Sequence, residues 1–147
     1  MENFVVEGTI AKIRDFPHVG FLRILCYDKS TNLHTLRAWN CGSSILNKKI
    51  LLTAAHCLVG CERESVGAIT VGHSKVDNTV YSSIDGYIIH EEYSPTLADY
   101  DIALVRSRTE IVFGPNVKRV AIMKAPPYFE KAQIAGWGLI DAERHIL

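Results

Sequence analysis

The chain has 147 residues, 48% of them hydrophobic and 22% charged, and its 16 Lys plus Arg balance 16 Asp plus Glu for a formal charge of zero. Such a composition belongs to a globular chain and excludes disordered and fibrous classes. With no basic stripe or acidic tail it argues against nucleic acid or an anionic membrane as the main partner, and the longest apolar runs, such as residues 50–55, are far too short to span a bilayer.

In chain order, Met1-Glu2-Asn3-Phe4 is acidic, and no basic region and apolar run follow before Lys12. No secretory leader is therefore expected. Residues 19–27 are apolar and aromatic between Pro17 and Asp28-Lys29-Ser30, which predicts a strand. Residues 36–46 predict a second strand, bent at the interior Gly42. A short buried strand is expected at 50–53, and a short helix over 53–58 with Thr53 placed to cap it. Alternation predicts half-buried strands at 66–71 and 80–90. Another strand is expected at 102–106, and a last one at 132–139, ending in Gly136-Trp137-Gly138. Between them, from Gly114-Pro115 to Pro126-Pro127, the chain reads as an extended connector. Regularly spaced short strands with polar turns indicate a barrel or a sandwich. About twenty residues after the connector are too few to close a second core.

Several short motifs carry a resemblance. Val5-Val6-Glu7-Gly8 is followed by Phe16-Pro17-His18-Val19, then Cys41-Gly42-Ser43-Ser44-Ile45-Leu46 and Leu52-Thr53-Ala54-Ala55-His56-Cys57. Asp101-Ile102-Ala103-Leu104 and Ala135-Gly136-Trp137-Gly138 complete the series. In this order and spacing the chain resembles the trypsin/chymotrypsin family of serine proteases (peptidase family S1). The resemblance covers nearly the whole chain but only about the first half of a full catalytic domain. It implies an all-β fold, the first antiparallel β-barrel of a trypsin-like double-barrel architecture with only the beginning of the second barrel. Residues 5–147 would form the partial peptidase domain, divided into a first barrel at 5–113, a connector at 114–131 and the start of the second barrel at 132–147.

The same resemblance implies a serine-type endopeptidase acting on protein or peptide substrates outside the cell. His56 takes the position of the general base, and Asp101 that of the carboxylate holding the imidazole tautomer, roles established for this family. Asp99, two residues away, is a competing carboxylate, read as solvated. His18, His34, His73, His90 and His145 lack such a setting and are read as surface or strand residues. No serine stands in the Gly-Asp-Ser-Gly-Gly context of the family nucleophile. Ser43 and Ser44 precede His56 but map to a strand. Glu7 replaces a glycine of the N-terminal motif, and two parts of the family's activation machinery are not found: Phe4 precedes Val5 where the family carries Arg or Lys, and the carboxylate beside the active serine that would pair with the freed N-terminus is absent. The chain alone is accordingly expected to be catalytically incomplete.

The resemblance also implies a disulfide between Cys41 and Cys57, with Cys26 and Cys61 as the second pair. A rival reading takes His56, Cys57 and Cys61 as metal ligands, against which stand the missing C-x-x-C spacing and the awkwardness of adjacent His and Cys on one tetrahedral ion. No cofactor and no metal are expected. Two functions stay open: a serine endopeptidase present as a fragment, and a non-catalytic homologue that binds a protease, an inhibitor or another protein partner.

Overall fold

The computed structural model describes residues 8–28, 35–61, 66–75, 80–125 and 128–138. Outside them lie Val5, Val6 and Glu7 of the N-terminal motif, His34, His145, Ser30, Ser65, Pro126-Pro127 and residues 139–147. Six strands form, β1 (Val19–Asp28), β2 (Thr35–Ile45), β3 (Ile50–Thr53), β4 (Val66–Val71), β5 (Ser82–Ile89) and β6 (Ala103–Ser107). They close into one antiparallel barrel in the order β1-β2-β3-β6-β5-β4. Closure leaves no strand edge unpaired, which is how a small all-β unit avoids presenting an open row of backbone donors and acceptors.

The alternation that defines the strands also fills the barrel. Along β6, Ala103, Val105 and Ser107 point inward while Leu104 and Arg106 point out. Leu22, Ile24, Ile45, Leu51, Ile69, Val71 and Val105 form the core, closed at one end by Ala55, Cys57 and Leu58 and at the other by Ile111. Gly20 in β1 is there for space: a Cβ would come within 2.6 Å of Ser43 Oγ and 3.0 Å of Leu51 Cδ2. The buried hydroxyls are satisfied, Ser107 Oγ donating to the Thr109 carbonyl at 2.8 Å and Ser82 Oγ accepting from Thr109 N–H at 3.0 Å. Such pairing is what a low-dielectric interior demands of polar groups.

Four expectations change. The β1–β2 register runs without a shift through Phe21↔Gly42, so Gly42 marks no bulge; the irregularity lies between Ile84 and Gly86 on β5. The expected helix is a single 3-10 turn, Ala55–Cys57, with Ala54 at its N-cap. Thr53 is instead the last residue of β3, its hydroxyl donating to the Gly42 carbonyl at 2.8 Å. Residues 132–138 form no strand, because a strand exists by its ladder and no described backbone pairs with them.

Beyond β6 the chain is strapped across the barrel. Ile111 N–H donates to the Lys48 carbonyl, Lys118 N–H to Pro17 and Val120 N–H to Ile45, at 2.7, 2.8 and 2.9 Å. Farther on, Trp137 returns to the barrel: its indole N–H donates to the Ser74 carbonyl at 3.0 Å, and its ring meets Phe21 edge-on at 5.5 Å. Among the described residues no helix is long and apolar enough to cross a membrane.

Candidate active site

The site begins where β3 ends. The 3-10 turn Ala55–Cys57 directly follows Thr53 and Ala54 and buries Ala55 and Cys57, which leaves His56 between them facing outward. A disulfide from Cys57 to Cys41 on β2 ties the turn to the barrel wall. The Trp39 indole N–H adds a bond to the Cys57 carbonyl at 2.9 Å. His56 thus sits on a short element held at both its neighbours, although its own side chain remains 51% exposed.

Asp101 arrives on the neighbouring strand, just before β6, whose first residue Ala103 pairs with Thr53 at the end of β3. The segment leading to it is a tight loop: Ser94 and Asp99 form an isolated bridge, and Ala98 N–H donates to the Ser94 carbonyl at 2.8 Å. Ala98 and Tyr100 both adopt left-handed backbone, with φ of 56° and 52°. For residues with a Cβ this costs on the order of 1–3 kcal/mol each and persists only where surroundings enforce it. Tyr100 has such a constraint, since its ring stacks on His90 with centroids 4.9 Å apart and planes 10° apart. The strained loop ends at Tyr100, directly before Asp101.

That residue grips His56 twice. The His56 backbone N–H donates to Asp101 Oδ1 at 2.8 Å, and Nδ1 lies 2.7 Å from Oδ2. An ionised carboxylate only accepts, so Nδ1 carries a proton, and in the neutral imidazole Nε2 is then the nitrogen with the lone pair. Burial by itself raises the Asp101 carboxyl pKa, but the hydrogen bonds from the His56 ring and backbone, the charge of His56 and the Ala55 backbone outweigh it, and the group ends below its ordinary value. The arrangement can hold one imidazole tautomer in place and favour the imidazolium once a proton arrives.

The structure brings together His56 and Asp101 and leaves the other sequence candidates elsewhere. Asp99 is exposed, bridging Ser94 through its backbone. Ser43 Oγ donates to the Gly20 carbonyl at 2.9 Å. Among the described residues no serine hydroxyl is hydrogen-bonded to the His56 ring. His90 stacks on Tyr100 and accepts from Glu92 N–H, and His73 is exposed. Cys61 is bonded to Cys26 and Cys57 to Cys41, so neither offers a thiolate and the rival metal set with His56 is not formed in this oxidised state. The left-handed backbone at Ala98 and Tyr100 and the stack of Tyr100 on His90 have no signal in the sequence, since nothing in Ala-Asp-Tyr flags left-handed backbone, which Asn or Gly would have suggested. A cleft of about 540 Å³ lies away from the pair, bounded by Ile10, Ile13, Phe16, Ser74, Ile134 and Trp137.

Comparison with known proteins places this geometry. The family model described as Trypsin matches residues 5–146. Trypsin alpha-4 of Lucilia cuprina is 33% identical over 140 residues, covering 94% of this chain and 50% of that protein. Hypodermin-A of Hypoderma lineatum is 29% identical over 136 residues, covering 91% of this chain and 48% of its own length. A solved structure described as "Structure of GrC" superposes with a TM-score of 0.70 at 19% identity over 97% of this chain and 61% of that one, a likeness of fold. The chain spans about half the length of the curated relatives it matches.

Proposed function

The chain belongs to the trypsin family of serine proteases, and from that premise we propose that it supplies the base-bearing half of a serine endopeptidase site. His56 acts as general base and Asp101 as its orienting carboxylate. The observation that carries the reading is the double grip of Asp101 on His56, at 2.8 Å to the backbone N–H and 2.7 Å to Nδ1. With Nδ1 occupied, Nε2 is the nitrogen left to take a proton from a serine hydroxyl as that oxygen attacks a peptide carbonyl, and to return it to the departing amine. These are the roles established for the triad of this same family, carried onto matching positions. Residues 5–113 make the first barrel, 114–131 the connector and 132–147 the start of the second. The nucleophile, the oxyanion-hole donors and the primary specificity pocket belong to a second barrel of the kind that relatives twice this length have room for. Substrates are proteins or peptides, and the setting is extracellular, as is typical of the family.

The 147-residue chain itself carries no serine in the nucleophile context, so it is inactive alone. A fluorophosphonate probe and a peptide amide substrate test this directly. No labelling and no hydrolysis are expected from this chain. An extended reading frame carrying a Gly-Asp-Ser-Gly-Gly segment is expected to be active and to lose at least 10³-fold in kcat when His56 is changed to Ala, since triad members act as a unit. Labelling of the 147-residue chain that disappears in His56→Ala overturns the statement that it lacks a nucleophile. An active extended chain indifferent to His56→Ala overturns the assignment of the base.

A second reading is favoured by the outward face of the barrel, where Ile88, Ile102 and Leu104 are exposed together on and beside paired strands. An apolar patch of this kind suits a protein partner, and a non-catalytic homologue would use it to bind a protease or an inhibitor.

A further inference from the structure

Three ligand-bearing side chains converge at the 3-10 turn. Cys41 Sγ, Cys57 Sγ and a ring nitrogen of His56 all lie within 4.8 Å of one another. His56 Nε2 stands 3.6 Å from Cys57 Sγ, the ring having folded back over its own neighbour. On a tetrahedral ion with metal–sulfur and metal–nitrogen lengths of about 2.3 and 2.05 Å, two such donors stand about 3.6 Å apart. The adjacency that looks awkward in sequence is therefore already at ligating distance. The other ring nitrogen is bound by Asp101 Oδ2 at 2.7 Å, the carboxylate support that fixes tautomer and orientation in metal-binding imidazoles.

In the oxidised protein the two sulfurs are bonded to each other and offer no thiolate. We propose that thiol reduction of Cys41–Cys57 converts this corner into a Cys2His site for a borderline or soft divalent cation of the zinc type. A dithiol reductant supplies two electrons and two protons: the S–S bond breaks, two cysteine thiols form, and the reductant leaves as its own disulfide. Cys57 is buried and Cys41 only partly so, which makes the Cys41 sulfur the one the reductant meets. The cation then displaces both thiol protons to solvent and takes Nε2 as its third ligand. Two thiolates on one ion stand about 3.8 Å apart, wider than a disulfide bond, and turning the partly exposed Cys41 side chain opens that distance. The fourth position faces solvent beside the exposed ring of His56.

Bound there, the cation occupies the nitrogen that the proposed peptidase site needs as its base, so reduction with metal would be a reversible off state. That consequence rests on the reading of His56 as base; the binding does not. Cobalt(II) tests the site without any activity assay. The 147-residue chain carrying Cys26→Ala and Cys61→Ala is reduced with dithiothreitol, desalted without oxygen and titrated. One equivalent of cobalt is expected to give thiolate-to-cobalt charge transfer and the strong visible bands of tetrahedral coordination, while the oxidised chain gives neither. His56→Ala is expected to weaken binding at least tenfold, and Asp101→Asn by about 10–100-fold through the lost support. A reduced chain without the tetrahedral spectrum, or binding indifferent to His56→Ala, overturns the proposal. Should the double-alanine chain not fold, the fully reduced natural chain serves: Cys41→Ser is expected to abolish the bands and Cys61→Ser to leave them, and the reverse pattern overturns the ligand set.

Discussion

Residues 19–111 and residues 112–138 carry the same kind of aliphatic side chains and dispose of them in opposite ways. In the barrel, Leu22, Ile45, Leu51, Ile69, Val105 and Ile111 are sealed from solvent completely. Past it, Val112, Ile122 and Ile134 are 72%, 71% and 82% exposed. Hydrophobicity is alike in the two regions; what differs is the ladder. Six strands that close on themselves give every inward side chain a wall, whereas the later segment meets the barrel only at intervals, through single backbone bonds and the side chains of Val117 and Trp137. Burial here is a property of closure and not of composition.

The sharpest way to break that contrast is by truncation. Leu51→Ala in the barrel is expected to cost about 2–5 kcal/mol, the range for deleting a large core side chain. Ile134→Ala is expected to stay within about 0.5 kcal/mol, as exposed positions do. Urea midpoints of the two variants measure both, and equal shifts would erase the distinction between the regions. Next in size is the cross-link that ties the His56 turn to β2, across a sequence separation of 16. Replacing Cys41 and Cys57 together by Ser is expected to lower stability by about 3 kcal/mol. Calorimetry that found the double variant as stable as the natural chain would show the turn to be fixed by packing alone.

The smallest effect sharpens the site. Because the folded Asp101 carboxyl lies below its ordinary value, it stabilises the fold at every pH above the unfolded value of about 3.9. That contribution disappears as pH falls from there through the lower folded value. Melting temperatures of the natural chain and of Asp101→Asn should therefore differ near neutrality and converge in acid. A difference that persists unchanged to the acid end would mean that it does not come from the ionised form of Asp101.

What could be read from sequence follows from what period-2 patterns encode. The bounds of β3 and β4 were legible to the residue, and β1 and β2 to within one, since Pro17 and runs of β-branched and aromatic residues mark them. β5 begins two residues later than its alternation suggests: Tyr81 still donates its backbone N–H to the Ile69 carbonyl at 2.8 Å, but the continuous ladder starts at Ser82. Residues 132–138 have strand-like composition but no ladder partner among the described residues, and composition cannot report whether a partner exists. At the site, the Thr-Ala-Ala-His-Cys and Asp-Ile-Ala-Leu motifs singled out the two residues that meet. The left-handed Ala98 and Tyr100 that precede Asp101 left no trace, being side chains that ordinarily avoid such backbone. The fold of the His56 ring over Cys57 was equally invisible, as it depends on χ angles and on the carboxylate that arrives from β6.

Trp137 and Trp39 are the two tryptophans of the chain, and they stand on opposite sides of the contrast drawn above. Trp39 is bonded into the barrel at Cys57, and Trp137 meets it at Phe21 and Ser74. The molecule is thereby labelled by nature for fluorescence. Lifting the 133–138 segment shifts the emission of one indole, and opening the barrel shifts both. Replacing either tryptophan by Phe would give each event its own optical channel.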